Sequence, residues 1–224
     1  MTDVYKSIFG EWYDRLVPVI LSPEFQKLGA TIANLRKVQS VFPARENVFR
    51  CFKETNPSSL LCVIWGMDPY PTKNVADGLA FSTSDSNPTP QSLRKIHKGI
   101  EEDIYHGLNL EQRNDLSYLS KQGVLLYNSA LTVAEGLPGS HQEHWNWFSH
   151  ELVDVLNNLE YQIPVISMGK VAQGFTKNLS QPVINVEHPA AAVYHGGIWK
   201  HENCFQKANE IIAHYYGPYT TIKW

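Results

Sequence analysis

The sequence predicts an α/β fold in which a central parallel sheet is flanked by helices on both faces. After a helical N-terminal part, short apolar runs alternate with longer amphipathic segments, strand then helix, through the rest of the chain. This alternation is the pattern of parallel β-α-β units. The 224 residues, of which 43% are hydrophobic, contain no repeat and no linker-like stretch. We therefore expect one domain over residues 1–224, in preference to two small ones.

Helical signals dominate the chain before the first predicted strand. Residues 1–21 place apolar side chains at roughly helical spacing, which predicts one helix. Ser22 and Pro23 supply a capping hydroxyl and a favoured first residue for a second helix, which should reach about Val38. Residues 43–52 predict a third helix.

Short apolar runs bounded by turn residues predict the strands. They occupy residues 60–65, 124–127, 163–168 and 183–186, with a further short strand or extended segment at 78–82. Amphipathic segments predict the covering helices at residues 91–105, 117–122, 143–159, from about 171 onward, and 202–215. Turn-rich composition predicts loops or irregular structure at residues 84–90, 107–115 and 132–141.

Composition restricts the classes of function. The net charge of −3 is unlike the basic balance of most nucleic-acid-binding domains. Any phosphate binding must therefore be local, through backbone N–H groups, helix N-termini and a few lysines. Three scattered cysteines fit reduced thiols of a cytoplasmic protein. No apolar run approaches the ~20 residues of a membrane helix, and the first residues lack a signal-peptide pattern, so we expect a cytoplasmic protein without a membrane partner.

Polar residues follow each predicted strand at the point where the strand ends. Asp68 and Tyr70 follow the first strand on a loop stiffened by two prolines. Asn128 ends the next strand, the Gly169–Lys170 pair follows the third, and His188 follows the last. Because the carboxyl ends of parallel strands meet at one edge of the sheet, we expect these residues to form one site.

The residue types at these strand ends suggest what the site could do. Asp68 could activate a water or stabilise a cation, and His188 could act as acid, base or hydrogen-bond donor. The Asn128 amide suits the edge of a nucleobase, and Phe81 could be a stacking platform. Each also has a plainer interpretation: Asp68 as a turn residue, Asn128 as a cap, and Phe81 and Met67 as core residues. Their joint placement favours function.

Motifs for metals and cofactors are missing from the sequence. His141 with His144, and His195 with His201, lack a cysteine or acid that would complete a ligand set. Neither of the glycine-rich nucleotide-binding patterns occurs, and no G-x-S-x-G elbow marks a serine hydrolase. We therefore expect neither a metal nor a cofactor.

Several short motifs occur in a fixed order between residues 60 and 195. Residues 66–71 read G-M-D-P-Y-P, and residues 78–81 read G-L-A-F, with Phe81 thirteen positions after Asp68. Further segments read P-Q-S-L at 90–93, L-Y-N-S-A-L-T-V at 126–133, M-G-K-V-A-Q at 168–173 and H-P-A-A-A at 188–192. In this order they resemble the motifs of the family 1 uracil-DNA glycosylases, namely G-Q-D-P-Y-H, G-L-A-F, P-S-L, L-L-N-x-x-L-T-V, W-G-x-x-A-Q and H-P-S-P-L.

The resemblance implies a fold, a reaction and a set of roles. It implies a four-stranded parallel sheet, no metal or cofactor, and hydrolysis of the N-glycosidic bond of a deoxyuridine flipped out of DNA, the first step of base excision repair. Asp68 would orient the water and stabilise the sugar cation, and His188 would donate to uracil O2. Asn128 would read the uracil edge. Phe81 would stack on the ring, and Tyr70 would exclude the methyl group of thymine.

Some positions depart from the family pattern. Met67, at a substrate-binding position, replaces glutamine, and Pro71 replaces histidine, although poxvirus members also look like G-x-D-P-Y-P and H-P-A-A. The resemblance assigns DNA contacts to Ser92, Gly169, Lys170, Ala192, Val193 and Tyr194. The leucine that wedges into the duplex falls on Ala192, which is too short, so Val193 or Tyr194 could replace it.

The resemblance also implies partners, and it leaves two alternatives open. The expected partners of a monomer are single- or double-stranded DNA that contains uracil, and proteinaceous uracil-DNA glycosylase inhibitors. One alternative is a glycosylase fold used for DNA binding or as a replication-processivity partner. The other is a glycosylase of wider specificity, against which Tyr70 and Asn128 argue because both narrow the pocket.

Overall fold

The computed structural model describes residues 2–108 and 112–224. Its α-helices are α1 (Thr2–Phe9), α2 (Tyr13–Ile20), α3 (Pro23–Val38), α4 (Arg50–Glu54), α5 (Gln91–Tyr105), α6 (Ser117–Ser120), α7 (Gln142–Asn157), α8 (Lys170–Thr176) and α9 (Cys204–Tyr216). Its strands are β1 (Val41–Phe42), β2 (Cys62–Gly66), β3 (Val124–Asn128), β4 (Val133–Ala134), β5 (Val165–Met168) and β6 (Val183–Val186). Short 3₁₀ helices cover Gly10–Trp12, Arg45–Asn47, Pro57–Ser59 and Pro189–His195.

The predicted parallel sheet is confirmed. Within the described residues, four strands pair in the order β3-β2-β5-β6, and each neighbouring pair is parallel. The register aligns Gly66 with Asn128 and Met168 with Val186. The carboxyl ends of these strands therefore lie along one edge, where ligands bind in sheets of this type.

Burial along the strands follows from coverage on both faces. Every residue of β2 and β3 is buried, as expected for a parallel sheet whose two faces both carry helices. In β6, at one end of the sheet, Ile184 and Val186 are buried while Asn185 between them is exposed. The alternation in β6 marks it as a strand with one solvent-facing side.

Helices pack against both faces of the sheet. Trp65 lies edge-on against Tyr127 with ring centroids 4.8 Å apart, and Tyr127 contacts Phe52 of α4 at 5.9 Å. Successive side chains of a strand point to opposite faces, so Cys62 faces away from this aromatic cluster. On that second face Cys62 lies close to Cys204 of α9.

The N-terminal part differs from its sequence prediction. The single helix predicted over residues 1–21 is divided into α1 and α2 by the 3₁₀ turn, because Gly10 takes a positive φ of 57° that an α-helix cannot contain. Pro18 lies inside α2. The helix predicted over residues 43–52 is likewise divided, into the 3₁₀ turn Arg45–Asn47 and the short α4.

Two further differences lie next to the expected site. Residues 78–82 form no strand but a turn, since Phe81 has a φ of 65°, which ends any extended backbone. The sequence does not predict β1 and β4, which pair antiparallel through Val41 and Ala134, because two residues are too few to show a period. By contrast, the helix predicted over residues 91–105 matches the bounds of α5.

Met1 and residues 109–111, the latter within the stretch predicted to be irregular, lie outside the described residues. None of the helices in the described part of the chain combines the length and the apolar character needed to cross a bilayer.

Candidate active site

A cavity of about 390 Å³ opens at the carboxyl ends of the strands. Its lining includes six of the residues singled out from the sequence: Met67, Asp68, Tyr70, Phe81, Ser92 and His188. A larger groove of about 720 Å³ lies elsewhere, between α1 and α3, with a mainly apolar lining. We place the chemistry in the smaller cavity, because an aspartate and a histidine converge there.

Gly66, the last residue of β2, lets two of these residues come together. A Cβ at this position would lie 2.5 Å from Asn128 Oδ1 and 3.1 Å from the Phe81 ring. A side chain larger than hydrogen at residue 66 would therefore displace both. Asn128 is buried and lies just outside the lining of the cavity. Its side chain reaches the edge of the cavity beside Gly66 and Phe81. Across the described residues its amide makes no hydrogen bond, so its donors and acceptor are free for a ligand.

Asp68 is held by a backbone donor from a distant segment. The Gly139 N–H donates to Asp68 Oδ2 at 2.6 Å. Burial raises the pKa of Asp68 above its ordinary value, and the bond from Gly139 opposes that rise. One carboxylate oxygen is thus engaged, which leaves the other for a water or substrate.

Tyr70 holds the backbone turn that contains Phe81. Its hydroxyl donates to the Phe81 carbonyl oxygen at 2.9 Å, across the turn in which Phe81 has its positive φ. Burial raises the pKa of Tyr70, so the phenol stays protonated and remains a donor. The two aromatic side chains therefore form one rigid side of the cavity.

His188 stands on another side, with its tautomer set by a local hydrogen bond. Its Nδ1 accepts from the Ala190 N–H at 3.2 Å, as the cap of the 3₁₀ helix Pro189–His195. Since Nδ1 accepts, the proton of the neutral ring is on Nε2. Burial lowers the pKa of His188, which favours this neutral form. The His188 and Phe81 rings lie with centroids 5.8 Å apart.

Glycine at residue 169 lets the turn after β5 approach His188. A Cβ there would lie 2.8 Å from the Cβ of His188, and Gly169 has a φ of 90°. Lys170 starts α8, and both residues line a neighbouring cavity of about 480 Å³ that shares His188. The Gly169–Lys170 pair and His188 are therefore neighbours, as their positions at strand ends suggested.

The three residues after His188-Pro189-Ala190-Ala191 differ sharply in exposure. Ala192 is buried at 2%, whereas Val193 and Tyr194 are 72% and 84% exposed. The Ala192 side chain packs inward, so the DNA contact predicted for it stays a prediction that the exposed side of this helix does not support. Val193 and Tyr194 project from the same 3₁₀ helix and are accessible.

Sequence reasoning missed the segment that supports Asp68. Gly139 and Pro138 lie in a stretch predicted only as loop, yet one holds the carboxylate and the other lines the cavity. The sole signal was the Pro-Gly pair itself, which indicates a turn but no partner. In the described residues, no cluster of three or more His, Cys, Asp or Glu side chains could hold a metal ion.

Comparisons with known proteins agree on one family name. No family model matches the chain. A uracil-DNA glycosylase of Acinetobacter baumannii (strain AYE) is 32% identical over 206 residues, which cover 90% of this chain and 86% of the relative. The crystal structure of mimivirus uracil-DNA glycosylase is similar with a TM-score of 0.74 and 26% identity, over 80% of this chain and 68% of that one. A variant of the mimivirus protein in complex with UGI is similar with a TM-score of 0.75 and 25% identity, over 81% and 70% of the two chains.

Proposed function

Since the chain belongs to the uracil-DNA glycosylase family, we propose that it excises uracil from DNA in the cavity around Asp68 and His188. It hydrolyses the N-glycosidic bond of a flipped-out deoxyuridine and leaves an abasic site. The main support for this proposal is that Asp68, Phe81 and His188 converge on one cavity, with Asn128 at the edge of that cavity. The motif order supports a place in family 1.

Asp68 handles the water and the sugar. With one oxygen engaged by Gly139, its second oxygen orients the attacking water. As the glycosidic bond breaks, positive charge develops on the sugar, and the nearby carboxylate stabilises it. This role requires the ionised form, which the bond from the Gly139 N–H favours.

His188 handles the leaving base. As the base departs, negative charge develops on uracil O2, and the Nε2–H of the neutral imidazole donates to it. The Ala190 N–H keeps the ring in the tautomer that carries this proton. A preorganised donor of this kind is worth roughly 2.7–4 kcal/mol of transition-state stabilisation, by analogy with oxyanion holes.

Three side chains recognise the base. The unpaired Asn128 amide has both a donor and an acceptor for the uracil edge. Phe81 provides the stacking surface. Tyr70, locked to the Phe81 carbonyl, takes the space beside C5 and so excludes the methyl group of thymine. Met67 contributes a cavity wall and its backbone N–H.

DNA lies across the edge that contains these residues. The exposed Val193 and Tyr194 enter the base stack in place of the extruded nucleotide. Ser92, Gly169 and Lys170 contact the phosphates, which provides local binding despite the net charge of −3. The same edge would accept a proteinaceous inhibitor, a proposal supported by the similarity to the mimivirus protein in complex with UGI. We further propose that residues 1–224 act as a single domain, as a monomer and in the cytoplasm.

Uracil release from defined oligonucleotides tests the function. The protein should release uracil from single- and double-stranded DNA in the presence of EDTA, and the strand should break only when the abasic product is treated with alkali. Asp68→Asn and His188→Leu should each lower the rate by orders of magnitude without loss of fold, measured by circular dichroism. A folded wild-type protein that releases no uracil would refute the proposal. Binding without catalysis is disfavoured because Asp68, Asn128 and His188 are all present.

A further inference from the structure

The loop that carries Asp68 is held from one side by residues 133–142, which we term the clasp segment. Its backbone contributes two hydrogen bonds, from the Gly139 N–H to Asp68 Oδ2 at 2.6 Å and from the Gly136 N–H to the Pro71 carbonyl at 2.9 Å. Its third bond comes from a side chain: Gln142 Nε2 donates to the Met67 carbonyl at 2.8 Å. Gln142 is the contact that a substitution can remove.

The carbonyl that Gln142 reaches belongs to the peptide bond immediately before Asp68. The Met67 oxygen also accepts from the Ala130 N–H at 3.0 Å. Its two lone pairs are thus both used, one toward the segment after β3 and one toward the start of α7. Since the peptide group is planar, fixing its oxygen also fixes the N–H and the Cα of Asp68, from which the side chain leaves the backbone.

Gln142 is itself rigidly placed. It is half-buried and is the first residue of α7. The preceding residue, His141, is 2% exposed and bonded through Nδ1 to Thr132 Oγ1 at 2.9 Å, while the same hydroxyl oxygen accepts from Trp145 Nε1 at 2.7 Å. Because Gln39 Nε2 donates to His141 Nε2 at 3.2 Å, the neutral His141 ring carries its proton on Nδ1 and donates it to the Thr132 hydroxyl, and the helix start is anchored on two sides.

The Met67 side chain completes the arrangement from the other direction. Its Cε lies 3.2 Å from the position that a Cβ of Gly139 would take. Met67 thus packs on the residue whose N–H holds Asp68, while Gln142 holds the Met67 carbonyl. The clasp segment and the Asp68 loop are therefore joined both by side-chain packing and by hydrogen bonds.

From these contacts we propose that Gln142 is a positioning residue for the reaction, which orients Asp68 through the Met67–Asp68 peptide. This inference rests on the proposed function. It predicts that the hydrogen-bond donor at residue 142 affects the catalytic step more than substrate binding, since Gln142 lies behind the loop and outside the lining of the cavity.

The test compares three substitutions at residue 142 on single-stranded uracil DNA. Gln142→Ala and Gln142→Glu, which both lack the donor, should lower kcat by about 3- to 10-fold and change KM by less than about twofold, as expected for loss of one hydrogen bond. Gln142→Lys, whose ammonium group can donate to the same carbonyl, should keep most of the wild-type kcat. Glu143→Ala, an exposed neighbour on the same helix, should behave as wild type.

A pH profile separates positioning from a general loss of stability. If the loop loosens, the bond from the Gly139 N–H weakens and the pKa of Asp68 rises further. The acid limb of the kcat profile should therefore move to higher pH in Gln142→Ala. Asp68, Tyr70 and His188 are the titratable groups that line the cavity, and substituting residue 142 leaves the Nδ1 bond of His188 untouched.

The outcomes distinguish this inference from the proposed function. A wild-type protein without uracil release refutes the function. An active wild type with unchanged kcat and unchanged acid limb in Gln142→Ala overturns only the inference. If Gln142→Ala unfolds, the Lys and Glu variants provide the test. A higher kcat for Gln142→Lys than for Gln142→Glu supports the positioning role, and equal kcat values overturn it.

Discussion

Replacing Gly66 by alanine should damage recognition of the base while the protein stays folded. The new methyl group would lie 2.5 Å from Asn128 Oδ1 and 3.1 Å from the Phe81 ring, whereas ordinary contact begins at 3.4 Å. The Asn128 amide must therefore retreat by about 0.9 Å, and a misplacement of about 1 Å near the reacting groups can cost 10²-fold. The backbone at Gly66 lies outside the left-handed region, so the substitution adds no backbone strain.

The measurable effects follow from that displacement. We expect kcat/KM for single-stranded uracil DNA to fall about 10- to 100-fold. The free energy of unfolding should fall by about 1–3 kcal/mol, the usual cost of an extra methyl group in a packed interior. Steady-state uracil release gives the first quantity, and denaturant unfolding followed by circular dichroism gives the second.

Gly174→Ala is the matched control for this experiment. Gly174 lies inside α8, and a Cβ there meets no atom within 4 Å. This variant should keep wild-type activity and gain about 0.4–1 kcal/mol of stability, because alanine restricts the unfolded chain. A folded Gly66→Ala variant with a kcat/KM within about threefold of the control would refute the placement of Asn128 and Phe81 in base recognition.

Three further predictions concern other parts of the site and its support. Tyr70→Ala should release thymine from T-containing oligonucleotides at a rate above background, because it removes the wall beside C5; the absence of any thymine release would contradict that role. Tyr194→Ala should lower kcat/KM on duplex DNA about tenfold and leave single-stranded DNA nearly unaffected, since only the duplex has a vacated stack to fill; equal losses on both would argue against a wedge. Burial lowers the pKa of His141 from 6.5 to about 4, so between these values the unfolded chain binds more protons than the folded one. The free energy of unfolding should therefore fall by about 1–3 kcal/mol as pH drops through this range. In His141→Gln the free energy of unfolding, measured by denaturant unfolding at neutral and mildly acidic pH, should depend less on pH than in the wild type.

The fold class could be predicted from local patterns of apolar residues in the sequence. Apolar runs such as residues 183–186 and the 3.6-residue period of residues 91–105 predict β6 and α5 with the bounds that the structure has. These signals are local, because each strand or helix buries its own side chains in a regular repeat. The N-terminal helix break at Gly10 was missed, since an isolated glycine in a helical pattern is tolerated and does not by itself mark the end of a helix.

Placement of the candidate site was only partly predictable. The positions of Asp68 and His188 after strands indicated a shared edge, because the ends of parallel strands meet there. Support for Asp68 by Gly139 and Gln142 could not be predicted, since these residues are 71 and 74 positions away and each hydrogen bond joins a side chain to a backbone group that every sequence has. The inward turn of Ala192 beside the exposed Tyr194 also required the geometry of the 3₁₀ helix.

The sequence by itself determined the α/β sheet, the order of its strands and helices along the chain, and the residue types delivered to the strand ends. These depend on periodicity and turn chemistry, which act over a few neighbouring residues. Only the tertiary structure decided which oxygen of Asp68 is engaged and how closely Asn128 and Phe81 approach Gly66. Those features arise where segments distant in the chain pack within van der Waals contact, and no local pattern encodes distances at that scale.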